Sequence, residues 1–121
     1  MPASAASRRA LGTSGEDTAA RWYLDSGFEV VARNWRCGQG ELDLVVRRRR
    51  LYVFCEVKTR RGDGFGVPAE AVTPAKQARI RRLAARWLAE AALGNAPRPA
   101  QVRFDVVAIL GGRIEVIEGA F

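Results

Sequence analysis

Residues 41–58 read ELDLVVRRRRLYVFCEVK. In 41–46 acidic and aliphatic residues take turns. An extended backbone, whose side chains alternate between faces, sets Glu41 and Asp43 on one side and Leu42, Leu44 and Val46 on the other. Residues 51–58 form a second run of the same kind, and Arg47, Arg48, Arg49 and Arg50 join the two into a β-hairpin with an arginine-rich tip. Glu56 and Lys58, two residues apart, emerge together from one face of the second strand, while Cys55 and Val57 face the other way. The hairpin brings Asp43 back alongside them.

Two neighbouring carboxylates suit a hard divalent cation: Mg²⁺, with Mn²⁺ as the alternative, takes oxygen ligands and keeps waters while bridging a substrate phosphate. Such a site fits phosphodiester hydrolysis. Asp43 and Glu56 hold the metal, the metal activates water and polarises the phosphate, and Lys58 orients the nucleophile or stabilises developing charge. The chain has no histidine, which removes the commonest general base and disfavours zinc. A Glu-Val-Lys triplet alone is equally the pattern of an exposed ion pair, worth about 0–1 kcal/mol. The apolar run LYVFC before it points instead to a central strand, where unpaired charge is costly.

Outward from the hairpin, residues 1–12 lack periodicity and read as a flexible tail before a single domain over 13–121. Ala19, Ala20, Tyr23 and Leu24 have helical spacing between Ser14, a cap with Asp17 as its partner, and Gly27, which ends the helix. Phe28 to Asn34 reads as a strand and Gly38 with Gly40 as a loop. Residues 60–67, RRGDGFGV, read as a flexible connection. Thr73 followed by Pro74 starts a second helix. Its apolar stripe is Ile80, Leu83, Ala84, Trp87, Leu88 and Ala91, and Gly94 closes it. Val102 to Leu110 and Ile114 to Ile117 are further strands joined by Gly111 and Gly112. The order is α-β-β-β-α-β-β, an α/β fold.

The net charge of +7 and pI near 10.7 call for an anionic partner, nucleic acid first. A membrane surface fits less well, because thirteen acidic residues are interspersed with the basic ones. Arg47 to Arg50, Arg60, Arg61, Arg79, Arg82 and Arg86 are candidates to neutralise phosphates, and Lys76 and Gln77 in the first turn of the second helix are candidates to point to the site and contact phosphate or the attacking water. Of twenty basic residues only Lys58 and Lys76 are lysines, which marks both as places where a compact ammonium matters. Trp22, Trp35, Trp87 and Phe104 read as core aromatics. Cys37 and Cys55 are too few for a disulfide scaffold. With no long apolar run and no apolar leader, the expected location is the cytoplasm.

The segments GEDTAARWYLDSGFEVVARNWRCGQGELDLV, FCEVKTR, PAKQARIRRLAARWL and RFDVV, in that order from about Gly15 to Val107, resemble the YraN-type uncharacterised protein family. That family belongs to the restriction-endonuclease-like superfamily and is similar to archaeal Holliday junction resolvases. The resemblance implies a restriction-endonuclease-like mixed β-sheet flanked by helices. It assigns the nuclease motif to Asp43, Glu56 and Lys58, and adds Glu16 on the first helix as a further acidic contributor to the metal site. It also implies structured or branched DNA, ahead of RNA, as substrate and a homodimer as assembly. The proline that often precedes the first acidic residue in this superfamily is replaced here by Leu42. The rival expectation is a nucleic-acid-binding accessory module without catalysis.

Overall fold

The computed structural model describes residues 15–60 and 72–121. The expected tail over 1–12, Ser14, and the connection over 61–67 lie outside the described residues. Helix α1 spans residues 15–25. Then come β1 (Glu29–Cys37), β2 (Gly40–Arg48), β3 (Leu51–Arg60), α2 (Pro74–Leu93), β4 (Gln101–Leu110) and β5 (Arg113–Ile117). The expected α-β-β-β-α-β-β order is the observed one. One sheet runs β1-β2-β3-β4-β5. β3 and β4 pair in parallel across the α2 crossover, and the other neighbours are antiparallel.

The helices cover opposite faces. Against α1, Tyr23, Ala19 and Phe28 bury Leu44, Val46, Val53, Cys55 and Val107. Against α2, Ile80, Leu83, Ala84 and Trp87 bury Val45, Tyr52, Phe54, Phe104 and Val106. Trp87 meets Tyr52 and Phe54 edge-on, at 5.9 and 5.8 Å between ring centroids. Trp22 and Trp35 are only partly buried against these two cores. Both cysteines are free thiols. Among the described residues no helix is long and apolar enough to cross a membrane.

Gly94 caps α2, β3 starts at Leu51, and Gly111 with Gly112 joins the last two strands, as the sequence reading has it; the differences at these boundaries are that β2 runs on to Arg48 and β3 to Arg60. Gly94 carries an ordinary negative φ, and the left-handed residue after α2 is Asn95, whose neighbour Ala96 donates its amide to the Ala91 carbonyl. The β2 and β3 strands extend through Arg48 and from Leu51, so Arg49 and Arg50 alone make the turn, with Arg49 at φ 56°. Gly111 and Gly112, both at positive φ, join β4 to β5 as a two-residue hairpin turn.

The largest departure concerns β1 and β2. β1 continues beyond Asn34 to Cys37, but Asn34 sits at φ 50°, a left-handed conformation that asparagine tolerates better than most residues. Facing changes there. The Arg33↔Leu44 pair lies toward α1, where Arg33 forms an ion pair with Asp17, whereas the next pair, Trp35↔Leu42, packs with the α2 core. Strict alternation had put Leu42 on the same side as Leu44 and Val46; the backbone turn between the two pairs separates them. Asp17 is accordingly bound to Arg33 in the described structure.

Behind the sheet, Asp105 on β4 is fully buried. Tyr23 Oη donates to its Oδ2 at 2.6 Å, Arg103 donates from Nε and Nη2 at 2.9 and 3.0 Å, and the Gly119 amide donates to Oδ1 at 3.0 Å. Burial, with Cys55 and Asp105 nearby, pushes the Tyr23 phenol far above its ordinary value, so it stays a donor. The network joins α1, β4 and the segment after β5. Asp105→Ala leaves the Tyr23 hydroxyl and the Gly119 amide without their acceptor and Arg103 with only its longer Glu118 contact, and should cost about 3–5 kcal/mol of stability, against about 1–2 kcal/mol for Tyr23→Phe, measured by urea unfolding. Equal costs for the two would contradict a network centred on Asp105.

Candidate active site

β2 stays paired with β1 as far as Gly40, but its ladder to β3 ends at Leu44↔Cys55. Beyond that point the Val57 amide has lost its strand partner. Asp43, the residue between the two facing groups, supplies the substitute: its Oδ2 accepts from Val57 N at 2.8 Å. The carboxylate therefore lies at the mouth of the opening between the strands. A cleft of about 330 Å³ forms there between Asp43 and Glu56 on the sheet and Lys76 and Arg79 on α2, backed by Ile80 and Leu83. Gly40 lines the same cleft at φ 147°, and a Cβ there would stand 3.2 Å from Leu83 Cδ1. Glycine thus lets β2 come close to α2.

Glu56 is only 8% exposed. Its Oε1 meets Lys76 Nζ at 2.7 Å and Lys58 Nζ at 3.2 Å. Lys76 reaches it from the first turn of α2, where the Thr73 side chain caps the helix by accepting from Lys76 N at 3.2 Å and Pro74 fixes the first helical position. The two lysines of the chain thus converge on one carboxylate.

The charges in the cleft act on one another. Burial, then the repulsion of Glu56, and then of Glu16 and Glu41, pushes the Asp43 carboxyl up to about 7, against the pull of the Val57 amide. Burial pulls the Lys58 ammonium below its ordinary value, and the neighbouring Lys76 adds to this against the attraction of Glu56. Burial also disfavours charge on Lys76, but its bonds to Glu56 and Lys58 outweigh that and raise its pKa. Lys58 is the more readily deprotonated of the pair.

The other sequence candidates fall in different places. Glu16, half-buried on α1, lies within electrostatic reach of Asp43. Glu41 lines the cleft and is paired with Arg36, a position that its shared face with Asp43 already signalled. Among the described residues no group of three or more histidine, cysteine or acidic side chains is arranged to hold a metal ion. Asp43, Glu56 and Glu16 do not close on one point. Arg79 lines the cleft, and Arg82 is exposed one turn along. Arg86 pairs with Glu90, and Gln77 Nε2 donates to the Val72 carbonyl at 3.0 Å, bracing the helix start.

The hairpin tip lies at the far end of β3, roughly 20 Å from Glu56 at about 3.3 Å per residue. There Arg47 pairs with Glu29, Arg48 covers the Phe28 ring at 4.4 Å, and Arg50 donates to the Arg98 carbonyl at 2.8 Å. Arg49 is exposed in the turn. The Arg60 side chain and Arg61 lie outside the described residues. The sequence reading points Lys76 to the site, toward phosphate or the attacking water, and does not place it on Glu56. The signal that singled it out was the scarcity of lysine.

Comparison with known proteins agrees with the motifs. The model of a family described as "Uncharacterised protein family UPF0102" matches residues 15–109. A UPF0102 protein of Nocardia farcinica is 58% identical over 85% of this chain and 78% of its own length. One from Acidothermus cellulolyticus is 49% identical over the whole of both chains, and one from Frankia alni is 53% identical over 93% of this chain and 94% of its own.

The raised Asp43 pKa has a definite sign. The folded protein binds this proton more tightly than the unfolded chain, so the group's contribution to stability is lost as pH rises from about 4 to about 7. Asp43→Asn keeps an acceptor for Val57 and should be more stable than the wild type at pH 8, with the advantage shrinking towards pH 4. Urea midpoints at the two pH values measure this; an advantage independent of pH would rule out the raised carboxyl.

Proposed function

We propose that this chain, which belongs to the uncharacterised protein family UPF0102, is a metal-dependent endonuclease that hydrolyses phosphodiester bonds in structured or branched DNA. The observation that carries the reading is the convergence of Asp43, Glu56 and Lys76 in one solvent-open cleft of a strongly basic chain, with Lys58, the other lysine, on the same Glu56 oxygen. The donor set fits Mg²⁺ or Mn²⁺: it is oxygen only, and Asp43 is under negative pressure from Glu56, Glu16 and Glu41 that a cation would relieve. One or two carboxylates suffice for such ions, because waters and substrate phosphate complete the shell. When bound by Asp43 and Glu56, the cation supplies Lewis acidity at the phosphate and acidifies water.

The chain's own residues do the rest. The Val57 amide fixes Asp43 through Oδ2, leaving Oδ1 as the oxygen it presents to a ligand. Lys58, with its ammonium weakened by burial, positions the attacking water and exchanges a proton with it. Lys76 and Arg79 neutralise the scissile phosphate from α2, and Arg82 extends the positive surface outward. Glu16 adds to the negative field at Asp43 without a direct role in ligation. Branched DNA and a homodimer enter through the likeness to junction resolvases, since paired incisions need two sites.

One observation favours a binding module without catalysis: the Glu56 oxygen is already engaged by two ammonium groups. Cleavage of single-stranded, duplex, flap and four-way-junction DNAs in Mg²⁺ or Mn²⁺ separates the two. The nuclease reading expects cleavage that falls at least about 100-fold in Glu56→Ala and in Lys58→Ala while DNA binding persists. Binding by the wild type with no cleavage of any substrate in either metal would favour the module instead.

A further inference from the structure

Glu56 Oε1 is the point where the cleft's positive charge is concentrated, with Lys76 Nζ at 2.7 Å and Lys58 Nζ at 3.2 Å from the same oxygen. The two ammoniums arrive differently. Lys58 belongs to β3, like Glu56 itself, and is not part of the cleft wall. Lys76 crosses from α2, lines the cleft, and makes the shorter contact. Each side chain is about three-quarters covered, at 24% and 25% exposure, so the charges meet where water screens them poorly. Any cation that takes the Glu56 oxygen from the cleft side must approach the position that the Lys76 ammonium holds.

We infer that Lys76 is an internal competitor for the divalent-cation position, a positioning residue that must release Glu56 Oε1 before a cation can bind there. The inference rests on the reading of Asp43 and Glu56 as cation ligands, and it adds that the protein holds its own cation affinity down. A lysine suits this role better than an arginine. Its single compact charge swings away on a flexible stem, whereas a guanidinium would grip the carboxylate by two bonds. The released ammonium remains within the cleft beside Arg79, where a phosphate is its natural new partner.

The test is Mn²⁺ binding to the full chain by isothermal titration calorimetry, without nucleic acid, for wild type, Lys76→Gln, Lys76→Arg and Glu56→Gln. Circular dichroism and thermal unfolding would verify that each variant is folded. Removing one positive charge at the ligand should make Lys76→Gln bind Mn²⁺ at least about fivefold more tightly than wild type, while Lys76→Arg gains nothing and Glu56→Gln binds most weakly. Tight binding by Lys76→Gln where wild type shows none would support the competitor equally. Unchanged or weaker binding by Lys76→Gln, with Glu56→Gln still impaired, would overturn the competitor and leave the cation site standing. No Mn²⁺ binding by any variant would remove both.

Discussion

The hydrogen bond from the Val57 amide to Asp43 Oδ2 is the constraint on which the site depends. A sheet that opens between two central strands leaves peptide groups without partners, and such groups are costly when buried. Here the opening is made by β2 turning away beyond Leu44, and Asp43 fills the missing ladder position with its own carboxylate. The side chain that closes the hydrogen-bond gap is also the side chain that makes the gap acidic. Because Val57 lies between Glu56 and Lys58, the same bond fixes the stretch of β3 that carries both of them.

Asp43 and Asp105 show how position decides what a sheltered acid does. Asp105 is wholly enclosed, with Tyr23, Arg103 and the Gly119 amide meeting its oxygens from three parts of the chain. Every lone pair has a use, and the group serves cohesion. Asp43 has one amide donor and is surrounded by acids, while the ammoniums stand on Glu56 next to it. The cleft thus separates charge within a few residues, with an acid that resists ionisation beside a lysine that resists protonation. Opposed shifts in neighbouring groups are the arrangement that acid–base chemistry requires.

Much of this was legible in the sequence. The β-branched and aromatic runs mark the strands, the Thr73-Pro74 pair marks the second helix, and two-residue spacing puts Glu56 and Lys58 on one face, since these are local properties of the backbone. The opening at Asp43 was not legible, because alternation assumes a regular pleat and Asn34 breaks it. The Lys76–Glu56 contact spans the crossover and depends on how α2 lies against the sheet. For the hairpin tip, composition reveals four arginines but not that Arg47 and Arg50 spend their donors on Glu29 and the Arg98 carbonyl.

The parallel pairing of β3 with β4 sets an order on the making of this molecule. β1, β2 and β3 form a meander whose partners are near neighbours along the chain, so each hairpin closes at small entropic cost. β4 joins β3 only across the connection of residues 61–100, so that paired residues such as Leu51 and Gln101 stand fifty apart in sequence, and non-local pairing of that kind is slow to nucleate. Lys76 lies inside that connection. The β1–β3 meander therefore carries Asp43, Glu56 and Lys58, and the second lysine, Lys76, reaches Glu56 only with the crossover helix in place. Assembly of the charge cluster and completion of the topology are a single event.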